Sequence, residues 1–158
     1  AENLPFPDNS FDVVTSRYSA HHWHDVGRAL REAARVLKPG GLLVFVDIAS
    51  PGDAVLDVFL QTVEMLRDPS HVRDYSPSEW LGFVAEAKLV FREAVPYRVR
   101  HDYPAWITRL NTPAPLAAAV RELQIRAPRE VAAYFEQEED GCFTVDGILF
   151  QAAKGRHS

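Results

Sequence analysis

The clearest alternation of apolar and polar residues lies in the first third of the chain. Apolar side chains recur at helical spacing over residues 26–37, which predicts an amphipathic helix that Asp25 can cap. The Lys-Pro-Gly-Gly sequence at 38–41 ends that helix, because proline cannot continue it and glycine adopts left-handed φ freely. The apolar run 42–46 is too short to span a membrane and predicts a strand covered on both faces. Asp47 follows at its carboxyl end, where open α/β sheets bind ligands.

The same reasoning extends to the rest of the chain. Residues 11–16 have β-branched side chains in their middle and predict a strand, so that strand, helix and strand form a βαβ unit with parallel strands. Residues 54–67 predict a helix that is apolar on most sides and therefore buried or facing an apolar cavity. Ser76 and Glu79 have the spacing of a capping box that opens another helix. Further patterns predict a strand over 89–100 interrupted at Pro96, helices over 103–110, 116–125 and 128–137, and a last strand over 143–153.

Composition narrows the class of protein. With 158 residues, 47% hydrophobic and 25% charged, the chain is expected to form a single globular domain over 1–158. A net charge of −5 without a basic tract argues against nucleic acid or an anionic membrane as a partner. Cys142 is the only cysteine, so no internal disulfide forms and a reducing cytoplasm is the expected location.

Three motifs together resemble one family. They are Leu-Pro-Phe-Pro-Asp-Asn-Ser-Phe-Asp at 4–12, His-His-Trp at 21–23, and the run from 30 to the Lys-Pro-Gly-Gly at 38–41. They resemble class I S-adenosylmethionine-dependent methyltransferases, especially the branch with the ubiquinone and menaquinone biosynthesis enzymes. The resemblance implies a Rossmann-like α/β sheet of seven strands, with a glycine-rich loop after the first strand and an acidic residue after the second.

Neither the glycine-rich loop nor that acidic residue is found in this sequence. The resemblance therefore implies the C-terminal part of the fold, strands four to seven with the last antiparallel, together with flanking and inserted helices. Two explanations stay open: a piece of a longer enzyme, or a natural truncation. In either case this chain alone is expected to bind S-adenosylmethionine weakly or not at all.

The resemblance also assigns candidate site residues. Ala1 and Glu2 match the segment near the adenine of the cofactor, and Arg17 matches the position near its methionine portion, where it could pair with a carboxylate. The alternatives are a frayed terminus and a solvated arginine. His21 and His22 lie at the expected active-site mouth as candidate catalytic residues, with His22 favoured as the inward one and packing against a neighbouring tryptophan as its alternative.

Four residues are expected on the substrate side, with ordinary loop surface as the alternative: Tyr18, His71, Arg73 and Tyr75. A metal site formed by His21, His22 and His24 is not favoured, because adjacent histidines in one loop rarely reach the same ion.

The predicted function is methyl transfer to a small organic acceptor, on oxygen, carbon or nitrogen. Methyl transfer from a sulfonium is an in-line displacement, so positioning and exclusion of water suffice and no nucleophile motif is required. The alternative is a non-catalytic module that self-associates. If no strand covers the edge at residues 12–16, a homodimer through that edge is expected.

Overall fold

The structure, a computed structural model, describes residues 1–156. Its four strands form one sheet in the order β1-β2-β4-β3. β1 pairs parallel with β2, and β4 is antiparallel to both β2 and β3. The predicted βαβ unit and the antiparallel last strand are therefore confirmed. The strands are β1 Phe11–Arg17, β2 Leu37–Ile48, β3 Leu89–His101 and β4 Phe143–Lys154.

Six helices connect or cover these strands. Asp25 caps α1 by accepting a hydrogen bond from the Arg28 backbone N–H at 2.7 Å, and Ser76 and Glu79 form the predicted capping box of α3. No helix in the described part of the chain is long and apolar enough to cross a membrane. The helices are α1 Val26–Val36, α2 Ala54–Arg67, α3 Pro77–Glu86, α4 Tyr103–Arg109, α5 Ala114–Ile125 and α6 Arg129–Tyr134, and a short 3-10 turn covers Ala20–His22.

Two local predictions need refinement. The 38–41 segment does end α1, but it lies within β2 as an irregularity, with Leu37 opposite Phe11 and Leu42 opposite Val13. Gly41 is required there, because an added Cβ would lie 2.9 Å from the Lys38 carbonyl oxygen. The proline in β3 does not interrupt that strand, since β3 is at the edge of the sheet and proline is tolerated there.

Apolar side chains pack on both faces of the sheet. On one face, Phe45 of β2 and Phe150 of β4 stack at 5.2 Å between ring centroids and contact Trp80 of α3. On the other face, Val145 and Phe143 pack with Trp106 of α4 and with residues of α2, α5 and α6. Helices therefore pack on both faces of the sheet, but the run 42–46 of β2 is buried on one face only, at Leu43 and Phe45, and half-buried on the other.

Candidate functional site

A cavity of about 240 Å³ opens at the edge where β1, β2 and β3 end. Parallel strands bring their carboxyl ends to the same edge, which is the usual ligand-binding edge of an open α/β sheet. The 3-10 turn, the loop between α2 and α3, and α4 surround the opening. We call this space the histidine cavity, and its lining residues are Tyr18, His21, His22, Ile48, Glu64, Arg67, Asp68, Asp74, Val99, His101, Trp106, Arg109 and Leu110.

Asp47 anchors the wall of the cavity from beneath. Its side chain is 2% exposed, and its two oxygens accept four hydrogen bonds. The donors are the backbone N–H groups of Ser19 (3.2 Å), Ala20 (2.8 Å) and Ile48 (2.9 Å) and Nδ1 of His21 (2.6 Å). A buried carboxylate is stable only when donors surround it, so this residue ties the 3-10 turn to the end of β2.

His21 is the histidine that Asp47 orients. Because Nδ1 donates to the carboxylate, Nε2 is the free ring nitrogen, and it has no hydrogen-bond partner in the described part of the chain. Burial lowers the pKa of His21, but the hydrogen bond and negative charge of Asp47 more than offset that effect and raise it above its usual value. The His21 carbonyl also accepts from the N–H groups of Val72 (2.8 Å) and Arg73 (3.1 Å), which holds the following loop in place.

His22 also lines the cavity but has a different environment. Its Nδ1 lies 3.1 Å from the Ser70 carbonyl oxygen, and its Nε2 lies 3.9 Å from Oδ2 of Asp68. Its side chain is 35% exposed, whereas that of His21 is 15% exposed. The prediction that His22, and not His21, is the inward histidine is therefore wrong. His21 is the more buried of the two, because the buried carboxylate of Asp47 bonds it. The catalytic role of either histidine stays a prediction.

Two more carboxyl groups lie in the same cavity. Glu64 of α2 is 6% exposed and its Oε2 is 3.3 Å from Arg67; burial raises its pKa. Asp74 is 2% exposed, and its Oδ2 is inaccessible and has no hydrogen-bond partner in the described residues. Burial, followed by the negative charge of Glu64, raises the pKa of Asp74 well above its usual value. The cavity lining thus places His21 near two buried carboxyl groups, with the third, Asp47, behind His21.

Of the four predicted substrate-side residues, only Tyr18 lines the cavity. Its hydroxyl lies 3.2 Å from the hydroxyl of Tyr97. His71 lies behind the cavity wall, where Nε2 is 2.9 Å from the Gln61 side-chain oxygen. Burial, together with the charges of the neighbouring histidines, lowers its pKa to about 4, so its ring is neutral at pH 7.

Arg73 and Tyr75 were also predicted on the substrate side, and neither lines the histidine cavity. The Arg73 guanidinium lies 3.1 Å from Asp57 and 3.3 Å from Glu79. Tyr75 packs edge-on against Trp80 and its neighbour Phe83. Both residues fasten the loop to α2 and α3, which is a scaffold role that their sequence positions did not reveal.

A second recess of about 300 Å³ lies beside β1, on the other side of the segment that leads into the 3-10 turn. We call it the β1 groove. Two of the three predicted cofactor residues, Ala1 and Arg17, line it, but Glu2 does not. The Glu2 carboxylate instead accepts from the Asp25 N–H at 2.9 Å, and this hydrogen bond lowers its pKa. The lining residues are Ala1, Leu4, Val14, Thr15, Ser16, Arg17, Ser19, Trp23, Ala29, Ala33 and Phe45.

Several cavity residues were missed from the sequence. Glu64 gave only a partial signal, because α2 is largely apolar but also carries Asp57, which pairs with Arg73 outside the cavity. Asp74 gave no such signal, since it lies in a polar loop whose path is decided by contacts with His21 and Gln61. His101, Trp106 and Arg109 reach the cavity only because α4 folds back over the end of β3.

With this geometry established, comparison with known proteins is informative. A family model described as a methyltransferase domain matches residues 1–45. The Escherichia coli protein YafE, whose name calls it uncharacterized, is 51% identical over 154 residues, which cover 98% of this chain and 74% of YafE. YcgJ of Bacillus subtilis, named an uncharacterized methyltransferase, is 48% identical over 114 residues, 72% of this chain and 45% of YcgJ.

The YcgJ crystal structure decides the family. It matches this chain with a TM-score of 0.93 at 39% identity, covering 98% of this chain and 68% of YcgJ. The chain belongs to the class I methyltransferase family. The methyltransferase prediction is thus confirmed at the level of the family and of its α/β fold.

Two narrower predictions about this methyltransferase are not supported. Likeness to the quinone-biosynthesis branch is partial: UbiE of Pseudoalteromonas translucida is 45% identical over only 56 residues, 35% of this chain and 22% of UbiE. The comparisons also do not support the interpretation of the chain as only the C-terminal part of the fold: the match with YcgJ covers 98% of this chain and 68% of YcgJ.

Proposed function

We propose that this methyltransferase transfers a methyl group from S-adenosylmethionine to a small organic acceptor bound in the histidine cavity. The observation that carries the proposal is the pair of recesses on either side of one segment. Ser19 lines the β1 groove and donates its backbone N–H to Asp47, whose other oxygen holds His21 in the histidine cavity. A donor in one recess and an acceptor in the other would meet at this segment.

The residues of the β1 groove fit S-adenosylmethionine as the donor. The Arg17 guanidinium can pair with the carboxylate of its methionine portion. Trp23 presents an aromatic surface whose indole N–H is already satisfied by Ser19 Oγ at 3.1 Å. When bound, the cofactor supplies an electrophilic methyl group on a sulfonium.

The histidine cavity fits a small acceptor. Its volume of about 240 Å³ is below the roughly 300–1,000 Å³ of sites for drug-sized ligands. Trp106 and Val99 offer apolar contact, and the two histidines offer hydrogen bonds to an acceptor hydroxyl or amine. Since His21 is held by Asp47, it can orient an acceptor without losing side-chain entropy in the reaction. Orientation and exclusion of water are what an in-line methyl transfer requires of the protein.

The first test is binding of S-adenosylhomocysteine, the demethylated cofactor, measured by calorimetry on the 158-residue chain. Because the β1 groove is open, we expect weak but saturable binding, with Kd on the order of 0.1–1 mM. Arg17→Ala should weaken it about tenfold, a loss of about 1.4 kcal/mol. Arg28→Ala is the matched control, because Arg28 is an exposed arginine of α1 outside the groove. Absence of saturable binding, or equal binding by both variants, would contradict the proposal.

The second test is transfer of tritium from methyl-labelled S-adenosylmethionine to a panel of small phenols, carbon acids and amines. Product that depends on both the chain and one acceptor class supports the proposal and identifies the methylated atom. Binding of the cofactor without transfer to any acceptor class would favour the alternative of a non-catalytic module.

A further inference from the structure

A compact set of metal-ligating side chains lies at the histidine cavity, with His21 and Asp74 in its lining and Asp47 behind His21. One donor atom from each of His21, Asp47 and Asp74 lies within 4.8 Å of the other two. The three come from different segments: the 3-10 turn, the end of β2 and the loop before α3. The segments are fixed to one another, because His21 Nδ1 bonds Asp47 and the Gln61 side chain bonds both the N–H (3.0 Å) and the carbonyl (2.7 Å) of Asp74.

The hydrogen-bonding needs of this cluster are not fully met by the described residues. Asp47, Asp74 and Glu64 are all buried. Arg67 lies against Glu64 and also donates to the Trp106 carbonyl at 3.1 Å. Asp47 is satisfied by its four donors, but Oδ2 of Asp74 is inaccessible and has none. A buried carboxyl oxygen without a donor or cation is costly, so this atom requires an explanation.

A second unpartnered atom lies nearby. Nδ1 of His71 is also inaccessible and without a hydrogen-bond partner in the described residues. The centroid of the His71 ring lies 5.8 Å from that of His21. The observation that carries the metal site is therefore Oδ2 of Asp74, an unpartnered atom of the ligand set itself on a side chain that is more than nine-tenths buried.

We propose that His21, Asp47 and Asp74 bind a divalent first-row metal ion, of which Mn²⁺ and Zn²⁺ are the best fits. The ion would replace the proton between His21 Nδ1 and Asp47 Oδ1, which frees one acceptor position on Asp47. An imidazole nitrogen with two carboxylate oxygens suits these ions, whereas Mg²⁺ and Ca²⁺ prefer oxygen ligands alone. Three protein ligands are also the number that leaves a position open for substrate. The sequence did not predict this site, because only one of its ligands lies in the His-rich segment and the others come from elsewhere in the chain.

An open coordination position at the cavity would be available to an acceptor. A divalent ion there could bind an acceptor oxygen and lower its pKa, which would favour methylation of a hydroxyl. That role rests on the proposed function. The binding of the metal does not, and it can be measured without any methyl donor.

The test uses the 158-residue chain freed of metal with EDTA and then titrated with Mn²⁺. Electron paramagnetic resonance follows the loss of the free-ion signal, and calorimetry with Zn²⁺ provides a second reading. We expect one saturable site in the wild type and a loss of affinity of at least tenfold in Asp74→Asn, which keeps the shape of the side chain. Asp68→Asn is the matched control, because Asp68 also lines the cavity but bonds Ser70 at 2.7 Å outside the cluster.

A folding control separates loss of a ligand from loss of structure. In EDTA, Asp74→Asn should melt at or above the wild-type temperature, since it removes an uncompensated buried carboxyl group. Addition of Mn²⁺ should raise the melting temperature of the wild type and of Asp68→Asn but not that of Asp74→Asn. Absence of saturable Mn²⁺ and Zn²⁺ binding by the wild type, or binding by Asp74→Asn as tight as that of Asp68→Asn, would overturn the proposal. Cofactor binding measured on the same samples would then show whether the methyltransferase proposal survives.

Discussion

Asp47→Asn tests whether one buried carboxylate holds the candidate site together. The two oxygens of Asp47 each accept two hydrogen bonds: Oδ2 from the N–H groups of Ser19 and Ala20, and Oδ1 from Ile48 and His21. Asparagine keeps one oxygen and replaces the other with an NH₂ group, which cannot accept. Turned toward Ser19 and Ala20, the NH₂ group leaves two backbone donors unpaired. Turned the other way it leaves only the Ile48 N–H unpaired, because His21 can change tautomer and accept from the NH₂ group through Nδ1.

The expected loss of stability follows from that count. A buried donor left unpaired costs about 1–3 kcal/mol, and the amide orientation that leaves only one is favoured. Removing one negative charge beside Asp74 and Glu64 offsets part of this loss, which leaves a net decrease of about 1–2 kcal/mol in the free energy of unfolding. For a domain of this size the melting temperature should fall by about 2–8 °C.

The measurement is urea unfolding followed by circular dichroism in EDTA, with a thermal melt as the second reading. Asp53→Asn is the matched control, because Asp53 caps α2 through a single oxygen at 3.0 and 3.2 Å and asparagine caps equally well. If Asp47→Asn were as stable as Asp53→Asn to within about 0.5 kcal/mol, the assignment of Asp47 as the anchor of the 3-10 turn would be refuted.

Three further predictions test the core, the cavity and the sheet edge. Phe45→Ala should lower the free energy of unfolding by about 3–5 kcal/mol in urea titrations, because Phe45 is 1% exposed among three aromatic rings. Val55→Ala is the control and should change the free energy of unfolding little, since Val55 is 51% exposed. Equal losses in the two variants would contradict the packing argument. His22→Ala should lower the turnover of the methyl-transfer assay by about 10- to 100-fold, because positioning of the acceptor is lost, while cofactor affinity in calorimetry changes little. Unchanged turnover would support a packing role for His22 instead. We also propose that the 158-residue chain self-associates through β1, an edge strand whose Val13 is 50% exposed. Light scattering should then show a dimer or larger species that Val13→Lys reduces, and a wild-type monomer at all concentrations would exclude this edge as an interface.

The sequence alone was sufficient to predict the helices and strands and their order along the chain. Helical spacing before the 38–41 segment predicted α1, and the apolar run after it predicted β2. Such patterns are readable because the directions of successive side chains in a helix and in a strand are local consequences of backbone geometry. Caps at Asp25 and Ser76 were predictable for the same reason, because each acts within its own first turn. The family was identifiable because its motifs are contiguous, and the position of Asp47 at a strand end already indicated the ligand-binding edge.

Only the tertiary structure decided which side chains meet at that edge. His21 lies deeper than His22 because a carboxylate 26 residues away bonds it, and no local pattern encodes that partner. Asp74 reaches the same cavity because Gln61 of α2 holds its backbone, whereas Arg73 beside it turns toward Asp57. Neighbours in a loop can face opposite ways, and the balance of long-range hydrogen bonds and burial selects one arrangement. The cluster of one histidine and two aspartates is therefore a property of the fold and of no single segment.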